Sequence, residues 1–357
     1  MSYQEFLSFE RRGAVGIVRL ARPEKLNTIS APFYEAMIEL QQTEIVGDHD
    51  LRAIALLADG RHFSAGIDLN YAKAVIGKPG RSLYGVYHWQ QAYRFWSECN
   101  LPVVVGIQGA CMGTAIELIT ACDIRIAADN AKFSLREVDV GISTDLGGTT
   151  RLTKLIGPGM TKLLAMTCED IDAQEAARIR LVERVVPLGE LEQTTLAYAE
   201  KLAAKPPIAV QMCKKCINIA TDAGTSVGLL AEEIQGIYTV STKDKAEAAA
   251  AMLEKRLVLI STCWHTGIER LYAAVRTAYA EYAPGYQAIF CPQGELFAID
   301  ACHRQVSAYL ADAAQAGREV AQTGRIADDT AARLARPILS DATFERITRP
   351  HWSIIDE

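Results

Sequence analysis

Between Cys111 and Leu152 the chain reads CMGTAIELITACDIRIAADNAKFSLREVDVGISTDLGGTTRL, and three carboxylates stand there among apolar residues and glycines: Glu117, Glu137 and Asp145. An anionic carboxylate on an apolar face is costly to bury, so its pKa tends to rise toward the range useful for proton transfer. Three such groups converging on one pocket could move a proton from one carbon to another, or deliver the elements of water. Each also has a plainer reading. Glu117 could sit on a solvated helix face, Glu137 could pair with Arg136, and Asp145 could cap the turn before Leu146.

Two glycine-containing turns supply a second ingredient. Phe63-Ser64-Ala65-Gly66 and Ala110-Cys111-Met112-Gly113-Thr114 both follow apolar runs, and each could expose backbone N–H groups at a bend or a helix start. Converging, they would make a two-donor hole for a carbonyl oxygen that becomes negative, as in a thioester enolate. A structural turn explains either motif taken alone.

The elements that must position these groups follow from periodicity. Residues 13–20 alternate as a strand, and Ser30 is placed to cap a helix running to Gln42. RAIALLA (52–58) and LPVVVGIQG (101–109) are continuous apolar runs, as expected of strands buried on both faces. An aromatic-rich helix fills 83–99, and another begins near Thr114. DIRIAA and KFSL read as brief strands, and the helical segment after Gly148 is broken at Gly157-Pro158. Helices then dominate from Pro206 to Leu253. Alternating strands and helices imply an α/β architecture with right-handed crossovers. Roughly a hundred further residues carry Ala-rich, helix-like pieces, read as a helical extension.

The 357 residues are half hydrophobic, enough for one large domain and an appendage. A net charge of −6 argues against a nucleic-acid-binding role. The opening MSYQEFLSFERRG has no signal-peptide core, and no run suits a bilayer span, so a soluble cytoplasmic protein is expected. Nine cysteines lack framework spacing and fit reduced thiols; Cys213 and Cys216 form a CxxC inside a helix without a second ligand pair, so no metal is expected.

Taken together, ARPEKLN, HFSAGIDL, GACMGTAIELITACDIRIA, FSLREVDVGI and the late MLEKR resemble the crotonase (enoyl-CoA hydratase/isomerase) superfamily over about residues 5 to 258. The resemblance implies a crotonase-like ββα spiral core (1–200) and a helical region for oligomerisation and coenzyme A closure (201–258); the helical extension (259–357) is absent from ordinary members. It implies a homotrimer or homohexamer acting on an acyl-CoA, with no cofactor beyond the coenzyme A thioester substrate itself. Carried over by position, the hole amides are those of Ala65 and Thr114. Coenzyme A contacts are implied for Arg22, Lys25, Ala65, Gly66, Ile67 and Lys255. Glu117 and Glu137 match the two hydratase glutamates. Asp145, eight residues after Glu137, instead looks like the dienoyl-CoA isomerase branch, where the residues matching Glu137 and Asp145 shuttle protons across a diene. The chain departs from that branch at Gly113-Thr114-Ala115, where three glycines are usual, and in having Glu117 where it has aspartate.

Overall fold

A hairpin starts the main sheet of the computed structural model, which describes residues 2–75, 79–240 and 242–254. Strands β1 (Leu7–Arg12) and β2 (Val15–Leu20) pair antiparallel, with Gly13 at φ +60° in the turn. The chain then adds β3 (Ala53–Ala58), β4 (Val103–Ile107), β6 (Ile124–Ala128) and β9 (Arg184–Val186), each parallel to its predecessor in the sheet. Between these visits it descends to a second layer. There β5 (Ala110–Met112) pairs with β7 (Lys132–Ser134), which pairs with β8 (Ile171–Asp172). Isolated bridges Ile29–Ile67 and Ser64–Cys111 extend that layer backward. The alternation between large sheet and small layer is the expected spiral.

The continuous apolar runs have the predicted cause. In β3, Ile54, Leu56 and Ala58 face one core, while Ala53, Ala55 and Leu57 face another. The first core is closed by α1 (Ala31–Leu40), α3 (Pro79–Glu98) and α4 (Thr114–Ile119). The second is closed by α7 (Leu191–Ala203), through Leu191, Leu196, Ala199 and Ala203. Sequence reading assigned no helix there, and the boundary expected at residue 200 falls inside α7. Each fully buried large aliphatic side chain adds about 1.5–3 kcal/mol, so this two-sided sheet is a stiff base for a polar site.

Other expectations are met with local corrections. Ser30 is the N-cap residue of α1, but its side chain makes no capping bond; Pro32 lies in the first turn instead. Helix α5 (Gly148–Thr167) breaks at Gly157, at φ +78° and ψ 162°. Helix α2 (Leu69–Val75) precedes α3 along the chain, and α6 (Ala173–Arg178) follows β8. The helical stretch 207–254 resolves into α8 (Pro207–Asp222), α9 (Thr225–Val240) and α10 (Lys243–Glu254). Cys213 and Cys216 are free thiols in α8. Among the described residues no helix is long and apolar enough to cross a membrane. The extension 259–357 lies outside the described residues.

Candidate active site

Glu117 projects from α4 into the protein interior and is 1% exposed. Its Oε1 accepts two backbone hydrogen bonds, from Leu146 N at 2.9 Å and Gly148 N at 3.0 Å. Burial, and after it the nearby Glu137 charge, push its pKa up to about 7, against the pull of those two amides. Glu117 therefore has two properties at once. It can change protonation near neutrality, and it pins the segment that carries Asp145.

Glu137 follows β7 and is 8% exposed. It is not paired with Arg136, whose guanidinium goes to Asp139 and Asp170. Its Oε2 is buried and has no hydrogen-bond partner among the described residues. Its Oε1 lies 3.1 Å from where a Cβ on Gly113 would be. Glycine at 113, held at φ +54° and ψ −124°, thus admits the carboxylate against the backbone beside Thr114. Burial raises the Glu137 pKa, and the Asp145 charge adds to the rise. An orphaned acceptor oxygen is a cost that folding alone does not explain.

Asp145 is different. Its side chain is exposed at the rim, yet the protein mass around it still raises its pKa. Its backbone is anchored: Gln90 Nε2 donates to Asp145 O at 2.6 Å, and Arg151 Nη1 donates to Leu146 O at 2.8 Å. Gly147, at φ +106°, leaves the space that the Arg151 guanidinium occupies. The N-cap of α5 is Gly147, so Asp145 does not cap that helix.

The two glycine turns do converge. Ser64 N donates to Ala110 O at 2.9 Å, Met112 N to Ser64 O at 3.1 Å, and Phe63 N to Gln108 O at 2.7 Å. At the crossing, Gly66 has φ +86°, and a Cβ there would sit 2.6 Å from Met112 O. Only glycine lets the loops approach this closely. The structure corrects one assignment: Ala65 N donates to Leu26 O at 3.0 Å, so that amide is already used. Two residues on, Ile67 N has no hydrogen-bond acceptor among the described residues, and neither has Thr114 N across the crossing. The turn motif could not reveal this, because the competing carbonyl comes from a remote loop.

That loop, ARPEKLN, is itself strained. Leu26 and Asn27 both have positive φ, 52° and 50°. Asn27 locks it by accepting from Arg22 N at 2.9 Å and donating to Asp59 O and His62 O at 3.0 and 3.1 Å. Its own carbonyl accepts the Ser64 hydroxyl at 2.7 Å. Asn27 was not singled out from the sequence. Of the expected basic groups, Lys25 is exposed, whereas Arg22 lies over the Phe6 ring at 4.6 Å. Lys255 lies outside the described residues.

Two further acids of the motif segments are held by other groups. Asp68 Oδ1 accepts from Asn70 N and Tyr71 N at the start of α2. Asp123 Oδ2 accepts from Val103 N at 2.7 Å and pairs at 2.8 Å with Lys214. In the aromatic segment Tyr93 and Trp96 are buried in the core, and Trp89 stacks on Tyr34, while Tyr87 is exposed.

Comparison with known proteins agrees with this layout. Residues 10–259 match the family model described as enoyl-CoA hydratase/isomerase. A short-chain-enoyl-CoA hydratase of Clostridium acetobutylicum is 34% identical over 250 residues, covering 70% of this chain and 95% of the relative. A mitochondrial Delta(3,5)-Delta(2,4)-dienoyl-CoA isomerase of Dictyostelium discoideum is 32% identical over 267 residues, covering 71% and 90%. The crystal structure of an enoyl-CoA hydratase from Bacillus anthracis superimposes with a TM-score of 0.69 at 32% identity, covering 72% of this chain and all of that one. With a family model matched over most of its length, the chain belongs to the enoyl-CoA hydratase/isomerase family.

Proposed function

We propose that the protein shifts double bonds in an unsaturated acyl-CoA, converting a 3,5-dienoyl thioester to its 2,4 isomer. The observation that carries this reading is Glu137: a buried carboxylate with an unpartnered oxygen, set against the backbone beside the unbonded amide of Thr114. The Ile67 and Thr114 amides receive the thioester oxygen as it becomes negative. Glu137, nearest the hole, takes a proton from the carbon next to the thioester. The electrons of that C–H bond pass onto the thioester oxygen, giving an enolate conjugated with the diene, and then flow back out along the diene to its far end. Asp145, further out on an anchored loop, supplies a proton at the distal end, and the double bonds settle at the 2,4 positions. One proton leaves and one arrives, so no redox partner is needed.

Hydration is a second reading, favoured by one observation. Glu117 and Glu137 are both buried, and the Glu137 charge adds to the rise in the Glu117 pKa that burial causes. Such a pair suits sharing one water across a double bond. Incubation with a 3,5-dienoyl-CoA and, separately, a 2-enoyl-CoA decides between them. Appearance of the 2,4-diene chromophore is the expected result, and hydration alone would sink the isomerase assignment. The Arg22, Lys25, Ala65, Gly66 and Ile67 stretch is the proposed coenzyme A contact, and a trimer or hexamer the proposed assembly. A melting temperature unmoved by coenzyme A thioesters would count against the former.

A further inference from the structure

The side chain of Thr114 is a junction between helices. Its Oγ1 lies 3.1 Å from the Tyr34 hydroxyl on α1 and 3.1 Å from the Tyr93 hydroxyl on α3, and all three residues are buried. The two tyrosine rings meet edge to face with centroids 5.5 Å apart, and Trp89 stacks on Tyr34 at 5.2 Å. Hydroxyls in such surroundings need partners, and here they find them in one another.

The helix that begins at Thr114 has little strength of its own. α4 has six residues, and Gly113 at its N-cap offers no side chain to cap it. Its first closure, Ile116 N to Gly113 O at 2.8 Å, is a tight turn. So short a helix lacks the cooperativity to fix its first residue. Two hydroxyls from separate helices do that instead.

We infer that Tyr34 and Tyr93 are positioning residues, acting through the Thr114 hydroxyl to hold the Thr114 N–H where the thioester oxygen becomes negative. This rests on the proposed role of that amide. Oxyanion donors work because they are in place before the charge develops, and a misplacement of about 1 Å costs on the order of a hundredfold in rate. The sequence alone could not show this, because positions 34, 93 and 114 are brought together only by the fold.

The test is steady-state kinetics on the 3,5-dienoyl-CoA and 2-enoyl-CoA substrates for Tyr34→Phe, Tyr93→Phe, their double variant, Thr114→Val and Thr114→Ser. Phenylalanine keeps the ring packing, which guards against simple misfolding. kcat should fall about threefold to tenfold in each single Phe variant and about a hundredfold in the double variant and in Thr114→Val, with KM within about twofold. Thr114→Ser, which keeps the hydroxyl, should lose at least about tenfold less kcat than Thr114→Val. Adding Tyr34→Phe to Thr114→Val should cost nothing more, since the contact is already gone.

A double Phe variant with a lowered melting temperature but the parent kcat would overturn the inference, leaving the trio as packing. Independent, additive losses in Tyr34→Phe and Thr114→Val would also overturn it. If the parent protein is active and the variants match it, only this inference falls. If the parent turns over neither thioester, the proposed function falls and takes the inference with it.

Discussion

The interior and the rim of the site are built by different means. At the interior end, Glu117, Glu137 and the crossed loops are held by backbone hydrogen bonds, glycine-only approaches and buried side chains. At the rim, Asp145 is exposed, and the preceding segment leaves Val138, Val140 and Ile142 open to solvent. The difference matches the demands of the two tasks. On the proposed reaction, holding a developing negative charge requires groups fixed in advance, whereas protonating the far end of the acyl chain requires only an acid of suitable pKa within reach.

The strongest way to break this comparison is Glu137→Gln. Loss of the orphaned carboxylate should lower turnover of any accepted thioester by about a thousandfold, with thioester binding nearly unchanged. Activity within tenfold of the parent would remove Glu137 from the chemistry. Asp145→Asn sharpens the contrast by separating the two reactions. It should lower diene isomerisation by about a hundredfold and spare any hydration of a 2-enoyl-CoA, as read by the two product assays. Equal losses on both substrates would make the rim acid part of the interior set.

Gly66→Ala probes the interior scaffold. The new Cβ would press on Met112 O at a φ that alanine resists, so stability should fall by about 1–3 kcal/mol and kcat should drop with it. An unaltered denaturation midpoint would show that the crossing tolerates slack.

Glu117→Gln gives a pH signature. With a pKa near 7 in the folded state and an ordinary carboxyl value when unfolded, Glu117 binds more protons folded than unfolded. Native stability from this group is therefore present at low pH and is lost as pH rises from about 4.5 through 7. Glutamine can still accept from Leu146 and Gly148 but carries no charge. The variant should match the parent at the acid end of this window and exceed it by up to about 3 kcal/mol above pH 7, in denaturant titrations at several pH values. A constant difference across pH would refute the raised pKa. The smallest effect belongs to Arg136→Ala. Its ion pairs are exposed, and stability and activity should change little, within about 0.5 kcal/mol.

What the sequence disclosed followed from short-range physics. β3 and β4 were legible because strands buried on both faces must be apolar throughout, and the break at Gly157-Pro158 because proline and glycine punctuate helices. The three acids were legible because charge among apolar residues is rare. Long-range facts stayed hidden. Nothing near FSAGIDL says that Leu26 O takes the Ala65 amide and leaves Ile67, and nothing near Glu117 says that its oxygen reaches Leu146 and Gly148. α7 stayed hidden because two of its four core positions are alanines and its role is to cover a sheet face supplied by distant strands.

The left-handed pair Leu26–Asn27 has a consequence for the order of events in folding. The loop bearing Ile67 is bonded to carbonyls about forty positions earlier, on a turn that Asn27 ties to Asp59 and His62. Asparagine tolerates the left-handed conformation but leucine disfavours it, so the pair is a poor nucleus. The hole should therefore mature late, after β2 and β3 have paired. A chain paused before that closure would be native-like in secondary structure and catalytically silent. In a refolding experiment, recovery of activity should lag behind recovery of the far-ultraviolet signal.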